Sequence, residues 1–227
     1  SIVDKQQIRL GFIGFCKTDL ILYLSRIIKS LGEKAAIVDR SADQKISYSV
    51  PVGIYTKDRL DYRGVEVFLN CSETELKELP LDDFYTVLVD FGLNVKTFGD
   101  IKEINAVFIV SDLQRYHLLP LSDFLSKAGK IPNTIRIYRD MPSGKITAYY
   151  ADSLLNIENA ANLIAKYEFP LNETEYSVRL TSQYDDVFKF SRIPAEFSQM
   201  LIDCVTELFG IDKKVALKAL KKAQRGG

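Results

Sequence analysis

The stretch IRLGFIGFCKTDLILYLSRIIKSLG, residues 8–32, decides the fold. An apolar run over residues 8–13 predicts a buried strand, and residues 19–31 predict an amphipathic helix because apolar side chains recur there every three or four positions. Gly32 stands where a glycine commonly ends a helix. The stretch therefore predicts a strand, a tight turn and a helix in direct succession.

The turn between them, GFIGFCKT at residues 11–18, is close to a phosphate-binding loop. Such a loop is written G-x-x-x-x-G-K-[ST], and this chain matches it at Gly11, Lys17 and Thr18 but has Cys16 in place of the second glycine. The match in a strand–turn–helix context favours a nucleotide-binding ancestry with altered chemistry. The alternative is a generic strand-to-helix turn in which Lys17 is merely solvated.

The composition of the 227 residues is that of an ordinary globular protein, with 47% hydrophobic and 26% charged residues. Equal numbers of basic and acidic residues, 30 of each, give no overall field that would attract nucleic acid, so we expect no specific nucleic-acid partner. Three cysteines without a C-x-x-C spacing, and a polar N-terminus, lead us to expect a cytoplasmic protein. The single histidine, His117, excludes a mechanism that needs two.

Strands and helices alternate along the rest of the chain, which predicts an α/β fold of three layers, with a mostly parallel sheet covered by helices on both faces. We expect one such domain over residues 1–210. The further predicted strands are residues 35–38, 50–55, 65–70, 86–89, 106–110, 134–138 and 145–150, and the further predicted helices are residues 74–79, 122–128, 157–167 and 194–209.

Ligands of parallel α/β sheets bind at the carboxyl ends of the strands. In this chain those ends are predicted at residues 11–18, Asp39, residues 90–92 and residues 111–112. We therefore expect any site to be built from these positions. Asp39 and Asp90 have a second interpretation, because aspartates also cap turns at strand ends.

These motifs resemble those of the MinD/ParA-type deviant-Walker P-loop ATPases, over most of the chain. The loop of that family is G-K-G-G-x-G-K-[ST], and Gly11, Gly14, Lys17 and Thr18 match it. Phe12 replaces the signature lysine, and Ile13 and Cys16 replace two glycines. The resemblance continues at Asp39, where Ser41 replaces a second acidic residue, at the Walker B-like Asp90-Phe91-Gly92, and in residues 197–201.

The resemblance implies ATP or ADP with Mg²⁺ as the ligand. The implied nucleotide-binding residues are Gly11, Gly14, Lys17, Thr18, Asp39, Asp90 and Gly92, and the implied magnesium residues are Thr18 and Asp90. Bulky side chains at Phe12, Ile13 and Phe15 are expected to crowd the phosphates, and loss of the signature lysine is expected to slow hydrolysis. No catalytic residue is assigned, and a chain that binds no nucleotide stays among the alternatives.

The tail, DKKVALKALKKAQR at residues 212–225, predicts a basic amphipathic helix within residues 211–227. MinD-like proteins often end in a helix that binds the membrane, which would make this protein peripheral to the inner face of the membrane. The other interpretations are a solvated helix packed on the domain and a helix that docks a partner.

Three functions fit these observations. The first is a positioning or assembly protein, non-catalytic or weakly nucleotide-binding, that organises a pilus, secretion or conjugation machine through protein partners. The second is an active ATPase that dimerises around nucleotide for partition or localisation. The third is a protein-interaction domain with no ligand. The substitutions at Phe12, Ile13, Cys16 and Ser41 favour the first or third, and any homodimer would then form without ATP.

Overall fold

The computed structural model describes residues 6–51, 58–184 and 192–226. Its described strands form one eight-stranded sheet in the order β3-β4-β2-β5-β1-β6-β7-β8. Only the β3–β4 pair is antiparallel among these strands, and the other neighbours run parallel. The strands are β1 (Ile8–Gly14), β2 (Ala35–Asp39), β3 (Arg59–Tyr62), β4 (Val65–Phe68), β5 (Thr86–Gly92), β6 (Ala106–Ser111), β7 (Ile131–Met141) and β8 (Ala161–Pro170).

Helices cover both faces of the sheet, as predicted. One apolar core lies between the sheet and helices α1, α7 and α8, and the second lies between the sheet and α2 to α5. The helices are α1 (Thr18–Ser30), α2 (Phe98–Ile101), α3 (Arg115–Ala128), α4 (Ala148–Leu155), α5 (Ile157–Ala160), α6 (Glu173–Ser182), α7 (Ala195–Phe209) and α8 (Lys213–Gln224), with short 3₁₀ turns at Lys45–Tyr48, Leu76–Glu78 and Val95–Thr97.

The central strands are buried over their whole length, which is why their sequences read as continuous apolar runs rather than alternating ones. Most predicted strands, and helices α1 and α7 of the first core, are confirmed to within a few residues. The helix predicted at residues 122–128 begins earlier, at Arg115, and Pro120 lies within it. The helix predicted at residues 74–79 is only the 3₁₀ turn at Leu76–Glu78. The strand predicted at residues 50–55 falls mostly outside the described residues.

Two predictions in the second half of the chain are wrong. Residues 145–150 are not a strand, because Thr147 caps a helix there by accepting a hydrogen bond from the Tyr150 backbone N–H. Residues 157–167 are not one helix, because the helix ends at Ala160 and the chain continues as β8. The pairing of β8 with β7 outweighs the local helical pattern there.

The C-terminal helix α8 packs on the domain. Its apolar residues Ala216, Ala219, Leu220 and Ala223 are buried in the same core as α1 and α7, while its lysines are exposed. Gly210, with a φ of 59°, makes the turn between α7 and α8. Most of the apolar face that would enter a lipid bilayer is therefore already used inside the protein, while Val215 and Leu217 stay exposed. Whether residues 211–227 act as a separate unit stays a prediction.

No helix in the described part of the chain is both long enough and apolar enough to cross a membrane.

The packing of α8 gives a testable expectation. Leu220→Ala should lower the free energy of unfolding by about 2–5 kcal/mol, because it leaves a cavity between α8 and the core. Leu217→Ala is the matched control on the same helix, since Leu217 is 38% exposed, and it should cost less than about 1 kcal/mol. Chemical denaturation measures both values. Equal small losses would show that α8 is not packed on the domain.

Candidate functional site

The turn after β1 and the ends of β2 and β5 meet at one edge of the sheet. Asp39 and Asp90 are aligned partners on the neighbouring strands β2 and β5. Ile13 of β1 is aligned with Gly92 of β5. The predicted site residues Gly14, Asp39, Asp90 and Gly92 therefore lie at the same carboxyl edge, as the alternation of strands and helices predicts.

Strand β1 extends further into the motif than the sequence suggests. It pairs with β6 through Gly14, which is aligned with Val110, and the backbone N–H of Phe15 then donates to the Val110 carbonyl at 2.8 Å. Since α1 begins at Thr18, only residues 15–17 form the turn. The backbone of the first half of the motif thus belongs to the sheet.

Both matching glycines are explained by this packing. Gly11 lies in mid-strand, where an added Cβ would come within 2.6 Å of the Phe91 ring. Gly14 has a φ of 106°, and a Cβ there would lie 2.1 Å from the Val110 carbonyl oxygen. Packing in the sheet therefore requires a residue without a Cβ at both positions.

The expectation that Phe12 and Ile13 crowd the turn is wrong. Both are strand residues with fully buried side chains that enter opposite cores. Phe12 stacks on Phe108 with ring centroids 4.9 Å apart. Of the bulky residues expected in the turn, Phe15 does lie there, and its ring stacks on His117 at 4.1 Å.

Lys17 and Asp90 form a buried ion pair. The Lys17 Nζ lies 2.9 Å from Oδ1 and 3.1 Å from Oδ2 of Asp90, and both side chains are almost inaccessible to solvent. Burial alone would lower the pKa of Lys17, but the charge of Asp90 and the hydrogen bond to it raise the pKa above its ordinary value. The Gly92 backbone N–H donates to Asp90 Oδ1 at 2.9 Å. Lys17 is thus held as an ammonium group against Asp90.

Asp39 is fully buried beside this pair. Its Oδ1 accepts hydrogen bonds from the backbone N–H and the hydroxyl of Ser41, at 3.0 Å and 2.5 Å. Its Oδ2 has no hydrogen-bond partner among the described residues. Burial, together with the charge of Asp90, raises the pKa of Asp39 to about 7. Ser41, which stands where the family has a second acidic residue, therefore acts as a hydrogen-bond donor to Asp39.

Arg139 of β7 holds the turn on the side away from Asp90. The sequence analysis did not predict this role. Its guanidinium donates to both Asp19 carboxylate oxygens at 2.6 and 2.8 Å, to Glu175 Oε1 at 2.6 Å and to the Cys16 carbonyl at 2.8 Å. It lies over the ring of Phe197 at 4.7 Å. Burial would raise the pKa of Asp19, but Arg139 outweighs it and the pKa lies below its ordinary value. The sequence signal that could have identified Arg139 is its position directly after the strand predicted at residues 134–138.

A cleft of about 620 Å³ opens beside the turn, lined by Cys16, Lys17, Thr18, the chain around Lys45 and Tyr48, and helix α6. Thr18, the first residue of α1, is half-buried there. Cys16 has a φ of 57°, a left-handed conformation that a glycine adopts more easily. Burial, together with the charge of Asp112, raises the pKa of the Cys16 thiol to about 11. This shift favours the thiol over the nucleophilic thiolate.

Within residues 6–51, 58–184 and 192–226, no group of three or more histidine, cysteine, aspartate or glutamate side chains is arranged to hold a metal ion.

Comparisons with solved structures identify the fold. A ParA family ATPase from Chlorobium tepidum TLS is 11% identical over 96% of this chain and 99% of its own, with a TM-score of 0.53. The MinC:MinD cell division protein complex of Aquifex aeolicus gives 15% identity over 90% and 96%, also with a TM-score of 0.53. This chain has the ParA/MinD fold. The MinD cell division protein of Aquifex aeolicus agrees, at 14% identity over 90% and 98%, with a TM-score of 0.51.

No protein-family profile and no curated protein sequence matches the chain. At these identities the likeness concerns the fold alone. The predicted α/β class is thereby confirmed, and the roles of the predicted site residues remain predictions.

The raised pKa of Asp39 predicts a pH dependence of stability. The folded chain keeps a proton that the unfolded chain releases at about pH 4, so the free energy of unfolding falls as pH rises from there to about 7. Asp39→Asn removes this loss. The melting temperature of Asp39→Asn minus that of the wild type should therefore increase by several degrees as the pH rises from 4.5 to 8.

The control for Asp39→Asn is Asp123→Asn, at an exposed carboxylate of α3. Its difference from wild type should stay constant over the same pH range. Thermal unfolding followed by circular dichroism supplies both curves. A pH-independent difference for Asp39→Asn would show that Asp39 is ionised in the folded protein throughout.

Proposed function

We propose that this protein is a positioning or assembly factor that works by binding protein partners and not by turning over ATP. The observation that carries the proposal is the buried Lys17–Asp90 ion pair, in a turn whose preceding backbone is committed to the sheet. The partners would belong to a larger cytoplasmic or membrane-associated machine, of the pilus, secretion or conjugation type.

The backbone of the turn supports this proposal. A phosphate loop binds its ligand with successive backbone N–H groups that are free to point at the phosphates. Here the chain is paired in the sheet through Gly14, and the N–H of Phe15 is bonded to Val110. Arg139 holds the carbonyl of Cys16, which fixes the rest of the turn. The turn as arranged therefore leaves fewer backbone N–H groups free for a phosphate than an open loop would.

The pairing of Lys17 with Asp90 also supports the proposed function. For Lys17 to reach a phosphate it must leave Asp90, whose carboxylate would then stay buried without its counter-charge. Removing one partner of such a pair typically costs about 3–5 kcal/mol. The phosphate would have to repay this cost before any net binding is gained.

A magnesium site at Thr18 and Asp90 meets the same difficulty. Both Asp90 oxygens lie within bonding distance of Lys17, and Oδ1 also accepts from the Gly92 backbone. A cation at Asp90 would therefore replace Lys17 rather than join it. Weak binding of ATP or ADP in the cleft is compatible with the proposal, whereas efficient hydrolysis is not.

The solved structures that share the fold include a MinC:MinD complex, which is an assembly of two proteins. By analogy, a chain that retains the fold while its turn is closed would keep its protein surfaces as the functional part. The rival function is an active ATPase whose dimer forms around nucleotide, and it is favoured by the retention of Lys17, Thr18 and Asp90 at the expected edge.

The proposal predicts ATP turnover far below about 1 per second and no pairing of the chain that depends on ATP. Turnover is measured by phosphate release, binding by calorimetric titration with ATP and ADP in Mg²⁺, and pairing by sedimentation with and without ATP. Lys17→Ala should lower the melting temperature, because it leaves Asp90 unpaired. It should leave the already negligible phosphate release unchanged.

The matched control is Lys45→Ala, which removes a half-exposed lysine that lines the same cleft. It should change neither stability nor phosphate release. Turnover near 1 per second that is lost in Lys17→Ala, or monomers that pair only when ATP is added, would replace the proposal with the ATPase function.

A further inference from the structure

Strand β8 leaves an open edge on the sheet. It has ten residues and, in the part of the chain that the structure describes, its only partner strand is β7. The opposite edge strand, β3, has four residues and belongs to an antiparallel pair. A long edge strand presents a row of backbone N–H and C=O groups that can pair with another strand. The two edges of this sheet are thus unequal, and β8 is the one with room for a partner.

The middle of β8 is shaped by a bulge. Thr134 of β7 is aligned with Leu163 and the next residue, Ile135, with Ala165, so Ile164 is the extra residue. Ile164 is 52% exposed. Beyond the bulge the pairing with β7 is regular from Ala165 to Glu168. This regular segment is the part of the edge that is best suited to pairing with a further strand.

A groove of about 420 Å³ runs beside this edge. It lies between β8 and helix α7, and Ile164 and Tyr167 line it from the strand, with Leu208 from the helix. When a strand adds to a sheet edge, backbone hydrogen bonds provide affinity and such grooves receive alternate side chains. The edge therefore offers both elements of a strand-pairing site.

The charges of β8 indicate what pairs with it. Lys166 and Glu168 are two residues apart, so they lie on the same face of the strand, and both are 42% exposed. In an antiparallel pair of two β8 strands with the twofold axis at Tyr167, Lys166 stands opposite Glu168 of the second copy, and Glu168 opposite its Lys166. Ala165 then stands opposite Phe169. The strand is complementary to itself in this register.

From the open edge, the groove and this complementarity, we propose that two copies of the chain associate through antiparallel pairing of their β8 strands. The two sheets then form one continuous sheet across a twofold axis. Such an isologous contact is the commonest symmetry of protein dimers.

The groups around the open edge of β8 are compatible with a second copy. Within one copy, Lys166 Nζ lies 2.6 Å from Glu158 Oε1 and Glu168 Oε1 lies 3.1 Å from Arg136 Nη2, and both β8 side chains stay partly accessible. Asp203 and Glu207 of α7 add acidic charge to the groove, and Lys213 on the same rim offsets part of it. Pairing of this kind requires no nucleotide, so it can fail or succeed independently of the proposed function.

The test is sedimentation equilibrium of the full chain, without nucleotide, between about 1 and 100 µM. A monomer–dimer equilibrium is expected. Lys166→Glu turns both cross-strand pairs into like-charge pairs and should raise the dimer dissociation constant by about tenfold or more. The charge-swapped double variant Lys166→Glu with Glu168→Lys should restore association.

The matched control is Lys127→Glu, which reverses another exposed lysine in a surface ion pair, on α3. It should leave the dissociation constant unchanged, and circular dichroism checks that every variant is folded. A chain that is monomeric at 100 µM overturns the proposal and leaves the edge to a strand of another protein. A dimer that Lys166→Glu does not weaken, or that the double variant does not restore while folded, overturns it equally.

Discussion

The buried ion pair between Lys17 and Asp90 is the interaction on which the architecture of this edge depends. It joins the turn after the first strand to the end of the neighbouring strand β5, and it does so out of contact with water. Two charges so placed stabilise each other only while they stay together. The pair therefore ties the start of α1 to the sheet, and it also occupies the two groups that the family resemblance assigns to phosphate and magnesium.

The neighbouring groups adapt to this pair. Asp39 is aligned with Asp90, and its burial together with the charge of Asp90 raises the pKa of Asp39 to about 7. On the other side of the turn, Arg139 holds Asp19 and Glu175 and fixes the carbonyl of Cys16. The turn is thus held by two buried cations, one from within the motif and one from a distant strand. The proposed function rests on this turn resisting the opening that phosphate binding would require.

Much of this arrangement follows from the sequence. The apolar runs that end in Asp39 and Asp90 predicted parallel strands whose ends meet, because strand direction and burial are encoded locally. The extent of β1 was not predicted, since a motif match at Gly11 and Gly14 implied an open loop, whereas contacts with Phe91 and Val110 require the same glycines inside the sheet. The resemblance thus identified the fold correctly while it misplaced the side chains of Phe12 and Ile13.

The remaining errors have a common physical origin. Residues 157–167 have a helical pattern, but residues 161–167 form a strand because β7 provides an edge that the local sequence does not reveal. Arg139 and Glu175 are 36 residues apart, so their ion pair is invisible to any local pattern. Contacts between distant segments, which no spacing rule registers, decided both cases.

The measurement that tests the account most directly is amide hydrogen exchange of residues 12–15, with and without Mg²⁺ and ATP. If these N–H groups belong to the sheet, as the pairing of Gly14 and Phe15 with Val110 requires, they exchange slowly in the free protein and the nucleotide leaves their rates unchanged. Rapid exchange in the free protein that MgATP slows would contradict the account, because it would mean that these groups form an open phosphate loop.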